Sequence, residues 1–427
     1  MLKIVESGTA DVLTRRSFEA PDEIIERVAA IVAEVKERGD EALIDFTARF
    51  DGVAIEAGEL RVTPAEVETA YRLVEPDFLE ALKAAKERIL AFHRRQLPAS
   101  WFDATDDAFA GQLVRPLERV GIYVPGGTAT YPSSVLMNAV PAGVAGVGQI
   151  VMATPPGRNG TINPHTLVAA AEAGVTEIYR VGGAQAVAAL AFGTATIRKV
   201  DKITGPGNIY VTVAKKLVFG QVGIDMLAGP SEVVVIADRS ADPGLVAADL
   251  LAQAEHDALA RAILITTSWE LAAKVRDGLA ALVETMDRRE VLEKALKEGA
   301  LAVVAKDLDE AVALANRFAP EHLELMVEDP FALLGKVRHA GAVFLGDCTP
   351  VALGDYAAGP NHVLPTGGTA RFFSGLGVET FLKRINVFSA GRDAFRELAG
   401  CVSRLAEIEG LPAHAWAVNV RREGAED

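Results

Sequence analysis

Apolar positions recur at helical spacing through the first part of the chain and in short β-branched runs after it. Ile24, Ile25, Val28, Ile31, Val32 and Val35 form one stripe closed by Gly39, which predicts an amphipathic helix. Phe78, Leu79, Leu82, Ile89, Leu90 and Phe92 repeat the pattern. His93 stands beside Arg94 and Arg95 and reads as part of a solvated face. At Val120 the texture changes. Residues 120–124 read as a strand broken by Pro125-Gly126-Gly127, and strands follow at 150–153, 177–181 and 201–204. Helical runs lie between them near 164–173, 184–191 and 207–218.

A second alternating block begins at Ser231. Strands are predicted at 232–237, 262–266, 302–305, 322–327 and 341–345, with helices at 245–254, 269–285 and 308–317. Asp242 fits the N-cap of the first of these helices, and Pro243 its first position. Strand–helix alternation in both blocks predicts an α/β protein with parallel sheets. Two such sheets in series suggest two related domains with a cleft between them, a usual place for a ligand. After Gly346 the chain reads as irregular, with too many small residues and breakers over 354–362 for an element. A helical region is expected over 379–409, followed by an apolar tail at 411–418 that wants a partner surface.

Composition narrows the class. Among 427 residues half are hydrophobic, enough for a large core, and the net charge is −15 without a basic patch. That argues against nucleic acid and against anionic membrane surfaces. The two cysteines, Cys348 and Cys401, fit no zinc or redox spacing, which suits a reducing compartment. The first residues lack the basic and apolar regions of a signal peptide, and the uncharged stretch 120–157 holds too many Pro and Gly for a membrane helix. A cytoplasmic, soluble protein is expected.

Polar clusters then suggest chemistry. Gln253 and His256, three apart at the end of a predicted helix, would share a face and offer half of a metal site. With Asp355 and His414 they make a set of oxygen and imidazole donors that suits zinc, with manganese or cobalt as substitutes. His362, on the loop of Asp355, is a rival by proximity, read as supporting the ligands. Ala319-Pro320 should stop a helix, so that His322 opens a strand at a sheet edge, outside the core. There His322 would accept a proton and Glu321 would activate water. Glu409 and His414 could flank a cation. Ser231 lacks a G-x-S-x-G elbow and reads as a hydroxyl contact to substrate. Three glycine-bearing strand ends carry Tyr123, Gln185 and Asn208, but none matches G-x-G-x-x-G, so nucleotide binding stays open on the loops alone.

Long motifs in one order resolve that. GIYVPGG at Gly121, GGAQAVAALAFGT at Gly182, VDKITGPGN at Val200 and IDMLAGPSEV at Ile224 are followed by AQAEHD at Ala252 and APEHLEL at Ala319. GDYAAGPNHVLPTGG at Gly354 and EGLPAH in the tail complete the series. Over nearly its whole length the chain resembles the histidinol dehydrogenase family. Two positions depart from the pattern: Pro360 replaces a threonine and Phe192 a tyrosine.

The resemblance implies two Rossmann-like domains with incomplete dinucleotide folds. The first would span 21–122 and 232–372, after an N-terminal segment 1–20. The second, on the NAD side, would span 123–231, and a C-terminal tail domain 373–427 would reach the partner of a homodimer. It implies one zinc per subunit held by Gln253, His256, Asp355 and the partner's His414, gripping the substrate. It places NAD near Tyr123, Gln185 and Asn208. It assigns substrate contacts to Ser231, Gln253, His256, His322, Asp355, Glu409 and His414. His322 would take the hydroxyl proton and Glu321 would activate water on the aldehyde. L-histidinol would thus pass through L-histidinaldehyde to L-histidine with two NAD, the last steps of histidine biosynthesis. The rival readings are a zinc hydrolase with Glu321 as base, a non-catalytic relative, and a dehydrogenase of another small polar alcohol.

Overall fold

The computed structural model describes residues 2–8, 20–105, 107–126 and 130–423. Most of the expected N-terminal segment, and Gly127 of the first glycine turn, lie outside the described residues. The chain divides into two units, one of Met1–Gln96 with Leu117–Phe381 and one of Leu97–Pro116 with Leu382–Asp427.

The first unit opens with strand Lys3–Glu6 (β1) and helices Asp22–Arg38 (α1), Asp40–Phe50 (α2), Pro64–Leu73 (α3) and Pro76–Arg94 (α4). Local chemistry explains the breaks. Thr63 accepts from the Glu66 amide while Glu66 returns to the Thr63 amide, a capping box that starts α3. The stripe predicted on α1 is its buried side, with Val28, Ile31 and Val35 inside. His93 is a correction: it is fully buried at the end of α4. Its Nδ1 lies 2.8 Å from the Ile89 carbonyl, and Asn361 faces its Nε2. The arginines beside it turn outward while its own position faces the interior.

Two strands of the second unit come next, Trp101–Ala104 (β2) and Ala108–Pro116 (β3). The chain then re-enters the first unit with Arg119–Tyr123 (β4), Pro132–Ala145 (α5), Gln149–Thr154 (β5), Pro164–Glu172 (α6) and Glu177–Arg180 (β6). Gly183–Phe192 (α7), Lys202–Thr204 (β7), Ile209–Val218 (α8) and Gly223–Ile224 (β8) finish this block. Its five strands form a parallel sheet in the order β6-β5-β4-β7-β8. Helices α1 and α2 share one buried cluster with α7 and α8, through Leu43, Phe46, Val187 and Leu190.

The second block runs Glu232–Ala237 (β9), Pro243–Ala254 (α9), Arg261–Thr266 (β10), Trp269–Val283 (α10), Arg289–Gly299 (α11) and Ala300–Val304 (β11). It continues through Leu308–Phe318 (α12), His322–Met326 (β12), Pro330–Leu334 (α13), Ala342–Leu345 (β13) and Val351–Tyr356 (α14). These strands form a six-stranded parallel sheet, β1-β11-β10-β9-β12-β13. Every residue of β9 is buried, as expected of a central parallel strand covered on both faces. Each fully buried Val or Ile there contributes about 1.5–3 kcal/mol. With β1 set aside, both sheets share one order: the third, second, first, fourth and fifth strands of the block. In each, the direction of winding reverses between the first and fourth strands, β4/β7 and β9/β12; open α/β sheets bind ligands at the carboxyl ends of the strands at such a reversal, which in the first sheet are the ends of β4 and β7.

The second unit completes β3 with Leu382–Ala390 (β14), followed by Arg392–Ile408 (α15) and Pro412–Glu423 (α16). It is a three-stranded antiparallel sheet, β14-β3-β2, with two helices. Here the expected helix over 379–409 is corrected. Its first part pairs with β3 along nine positions, from Leu382 opposite Pro116 to Ala390 opposite Ala108. Ile385, Val387 and Phe388 suit that strand. Asp107 then starts α15 by accepting from the Ala394 amide at 2.7 Å.

Gly205 is the backbone position on which the close approach of β4 and β7 at their carboxyl ends depends. It sits at φ +114°, and a Cβ there would lie 2.1 Å from the Tyr123 carbonyl oxygen. Gly205→Ala is expected to cost about 2 kcal/mol or more of stability, seen as a lower urea midpoint; an unchanged midpoint would contradict this packing.

Candidate active site

The second sheet brings its chemistry to the amino ends of its central strands. Glu321 precedes β12, and His322 is its first residue, paired with Val233 of β9. The preceding helix α12 ends as Ala319-Pro320 predicts, but Ala319 takes a left-handed φ of 52°, a conformation a non-glycine residue adopts at some cost. The expectation that His322 lies at a sheet edge is corrected. β12 runs between β9 and β13, and His322 is only 4% exposed.

The start of β9 holds both side chains. The Glu232 amide donates to Glu321 Oε2 at 2.9 Å, and His322 Nδ1 lies 3.1 Å from the Glu232 carbonyl. A carbonyl only accepts, so Nδ1 carries the imidazole proton. His322 Nε2 is then a bare lone pair; it is buried with no hydrogen-bond partner. Asp355 Oδ1 stands 3.8 Å from it. Glu232, not singled out in the sequence, is thus a residue that orients both Glu321 and His322; its place beside Ser231 at a predicted strand start was the available signal.

Helix α9 begins as predicted, with the Asp242 side chain accepting from the Gly244 amide. It ends at Ala254, however, with Glu255 as its C-cap, so His256 lies in the turn beyond it. Gln253 and His256 are therefore neighbours through a turn, joined by the His256 amide to the Gln253 carbonyl at 3.3 Å. Gln253 is 3% exposed, and both of its amide atoms are buried without partners. His256 is exposed as a residue, although burial of its ring lowers its pKa, and it acts electrostatically on both His322 and His362. Asp355 comes from the last turn of α14, a helix where an irregular segment was expected. His362 donates from Nδ1 to the Asp355 backbone carbonyl at 2.8 Å, and its Nε2 meets Ser134 Oγ of α5 at 3.2 Å. It ties the end of α14 to α5. Ser231 is half-buried beside Glu321.

Burial dominates the electrostatics. It raises the Glu321 carboxyl well above its ordinary range, and the Glu232 and Asp355 carboxylates add to this against the Glu232 amide and Ser231 hydroxyl. Burial lifts Asp355 to about 7 and pushes His322 down to about 3, with His256 and His362 adding to the latter. The imidazole is therefore neutral at pH 7, a proton acceptor with its free nitrogen aimed inward. Gln253 carries a buried amide oxygen without a partner, and burial raises the Glu321 and Asp355 carboxyls; groups of this chemistry are ones a divalent cation would satisfy. Among the described residues no group of three or more His, Cys, Asp and Glu side chains is drawn together as a ligand set. In the first unit the expected donors are Gln253, His256 and Asp355, of which only two belong to those types. Glu409, the C-cap of α15, and His414, on α16, lie in the second unit and are exposed.

The first sheet places its three predicted residues at carboxyl ends of strands. Tyr123 ends β4 and is 4% exposed; its hydroxyl accepts from the Gly183 amide at 3.1 Å, reaching the start of α7 where Gln185 is buried. Asn208 caps α8, accepting from the Tyr210 and Val211 amides at 3.0 and 3.2 Å. Tyr123 and Asn208 flank the β4/β7 reversal, while Gln185 joins them through Gly183. Among the described residues no helix is long and apolar enough to cross a membrane.

Comparison with known proteins shows the family. A family model described as histidinol dehydrogenase matches residues 14–422. The histidinol dehydrogenase of Heliobacterium mobile is 57% identical over 398 residues, covering 93% of each chain. That of Synechococcus sp. is 56% identical over 406 residues, 94% of each chain. The crystal structure of histidinol dehydrogenase from Elizabethkingia anophelis superposes with a TM-score of 0.95 at 36% identity, over 100% of this chain and 99% of that one.

The buried neutral histidine has a thermodynamic consequence. The folded value of His322, about 3, lies below its unfolded value of about 6.5. Its stability contribution is present above the unfolded value and is lost as pH falls toward the folded one, because the unfolded chain binds the proton first. Relative to His322→Gln, the wild type is expected to lose about 1.4 kcal/mol of unfolding free energy per pH unit between about pH 6 and about pH 4. Parallel pH profiles for the two proteins would contradict the buried neutral imidazole.

Proposed function

The chain belongs to the histidinol dehydrogenase family of oxidoreductases, and we propose that it oxidises L-histidinol through L-histidinaldehyde to L-histidine with two NAD and one zinc per subunit. The observation that carries the reading is the His322 ring, whose Nδ1 is fixed on the Glu232 carbonyl while Nε2 is buried without a hydrogen-bond partner. When bound, zinc would grip the substrate through its imidazole and amine, and NAD would accept hydride; the chain's own residues supply binding and proton movement.

Gln253, His256 and Asp355 would hold the metal, with the fourth position taken by His414 of the partner subunit. The support is chemical: an orphaned amide oxygen, an imidazole and a carboxyl raised by burial all gain from one cation. Such a cation would also lower the raised Glu321 carboxyl toward the ionised form that a base needs. Ser231, Gln253, His256, His322, Asp355, Glu409 and His414 would surround the substrate. Holding the unreactive imidazole end spends remote binding energy on orientation, so the aldehyde stays in place while one NADH leaves and a second NAD arrives.

His322 Nε2 would take the hydroxyl proton in the first oxidation. Glu321, held by the Glu232 amide, would take a proton from the water that adds to the aldehyde in the second. Tyr123, Gln185 and Asn208 would border NAD at the β4/β7 reversal. A homodimer is favoured by apolar side chains left exposed on α15 and α16, among them Leu398, Val402, Leu405, Ile408 and Trp416. A cytoplasmic enzyme fits its use of NAD and its unpaired cysteines.

Mixing the protein with L-histidinol, NAD and zinc tests this. Two NADH per histidine are expected. His322→Ala is expected to lower kcat by about 10²–10⁴. Glu321→Gln is expected to keep the first NADH and lose most of the second. No NADH, with hydrolysis of an amide instead, would contradict the assignment.

A further inference from the structure

Beneath the site lies a second pair of carboxyls that the proposed chemistry does not use. Glu324 of β12 is 1% exposed. Its Oε1 accepts from the Val351 amide at 3.1 Å, and its Oε2 is buried without a donor. The half-buried Asp249 of α9 faces it within hydrogen-bonding reach. Two ionised carboxylates only accept, so they bond only when a proton lies between them. Burial raises both acids, and the charge of Asp249 raises Glu324 further, which favours the singly protonated pair.

The place of this pair is what gives it a role. Asp249 is one turn before Gln253 on α9. Glu324 is two residues after His322, on the same face of β12. Val351 is one turn before Asp355 on α14. One carboxyl pair thus touches the three elements that carry a proposed metal donor, the proposed base and a second proposed donor, each one step below the functional side chain.

We propose that Asp249 and Glu324 share one proton and act as positioning residues, tying α9, β12 and α14 together so that Gln253, His322 and Asp355 keep their mutual geometry. This rests on the reading of those three residues as one site. A Gln at 324 keeps an oxygen for the Val351 amide and offers an N–H to Asp249. An apolar residue keeps the volume and loses both bonds.

The test combines infrared spectroscopy with kinetics on the full-length protein loaded with zinc. Wild type at neutral pH is expected to show the C=O stretch of a buried protonated carboxyl that is missing in Glu324→Gln. Glu324→Gln is expected to stay within about threefold of wild-type kcat, whereas Glu324→Leu loses about tenfold to a hundredfold in kcat with a smaller change in KM. Asp249→Asn, which also offers an N–H, is expected to behave like Glu324→Gln and guards against a Glu324→Leu that fails to fold. Absence of the infrared band, or full activity of a folded Glu324→Leu, would overturn the proposal. The band needs no substrate, so a wild type that shows it without oxidising L-histidinol would refute the function and leave the pair standing.

Discussion

The structure depends on keeping water away from a handful of ionisable groups at the start of β12. Glu321 and His322 are almost fully buried, and Asp355 stands 3.8 Å from His322 Nε2. In water these side chains would be two ordinary acids and a base. Out of water the imidazole cannot hold a proton at neutral pH, and the carboxyls are reluctant to lose theirs. The reactivity of the site is stored in that unease. A bound cation and a bound substrate are the partners that would relieve it.

The fold delivers this by using one topology twice in the first unit. Both sheets reverse winding between their first and fourth strands, and the segment from Asp225 to Ser231 links the two blocks. That segment is pinned on both sides. Asp225 accepts from the Gly205 amide at the end of β7, and the Gly229 amide donates to Thr366 Oγ1 at 2.5 Å. The chain thus passes from the carboxyl ends of the first sheet to the amino ends of the second. A cofactor at the first reversal would lie toward the acid and base at the second. The loop after α14 fastens the arrangement, through His362 on Ser134 and Asn361 on the Met137 carbonyl of α5.

Much of this was legible in the sequence because it rests on local rules. The Asp242-Pro243 start of α9, the stop at Ala319-Pro320 and the glycine turns after β4, β6 and β7 are each written within a few residues. The parallel α/β class followed from alternation alone. What escaped depends on distant partners. β14 is a strand because β3 pairs with it across most of the chain length, and Ile385, Val387 and Phe388 suit a strand without announcing that partner. His93 is buried because α4 turns it toward Asn361. The tight turn that takes His256 off its helix, and the short helix that carries Asp355, were hidden by residues that suit several conformations. The motif resemblance supplied what pattern reading could not: an expectation of which distant polar residues serve one site.

The most direct test is anomalous scattering at the zinc edge from crystals of the zinc-loaded protein. The account predicts one zinc per subunit bound by Gln253, His256 and Asp355, with His414 of the partner subunit in the fourth position. Zinc bound elsewhere, or His414 remote from every zinc in the crystal, would contradict it.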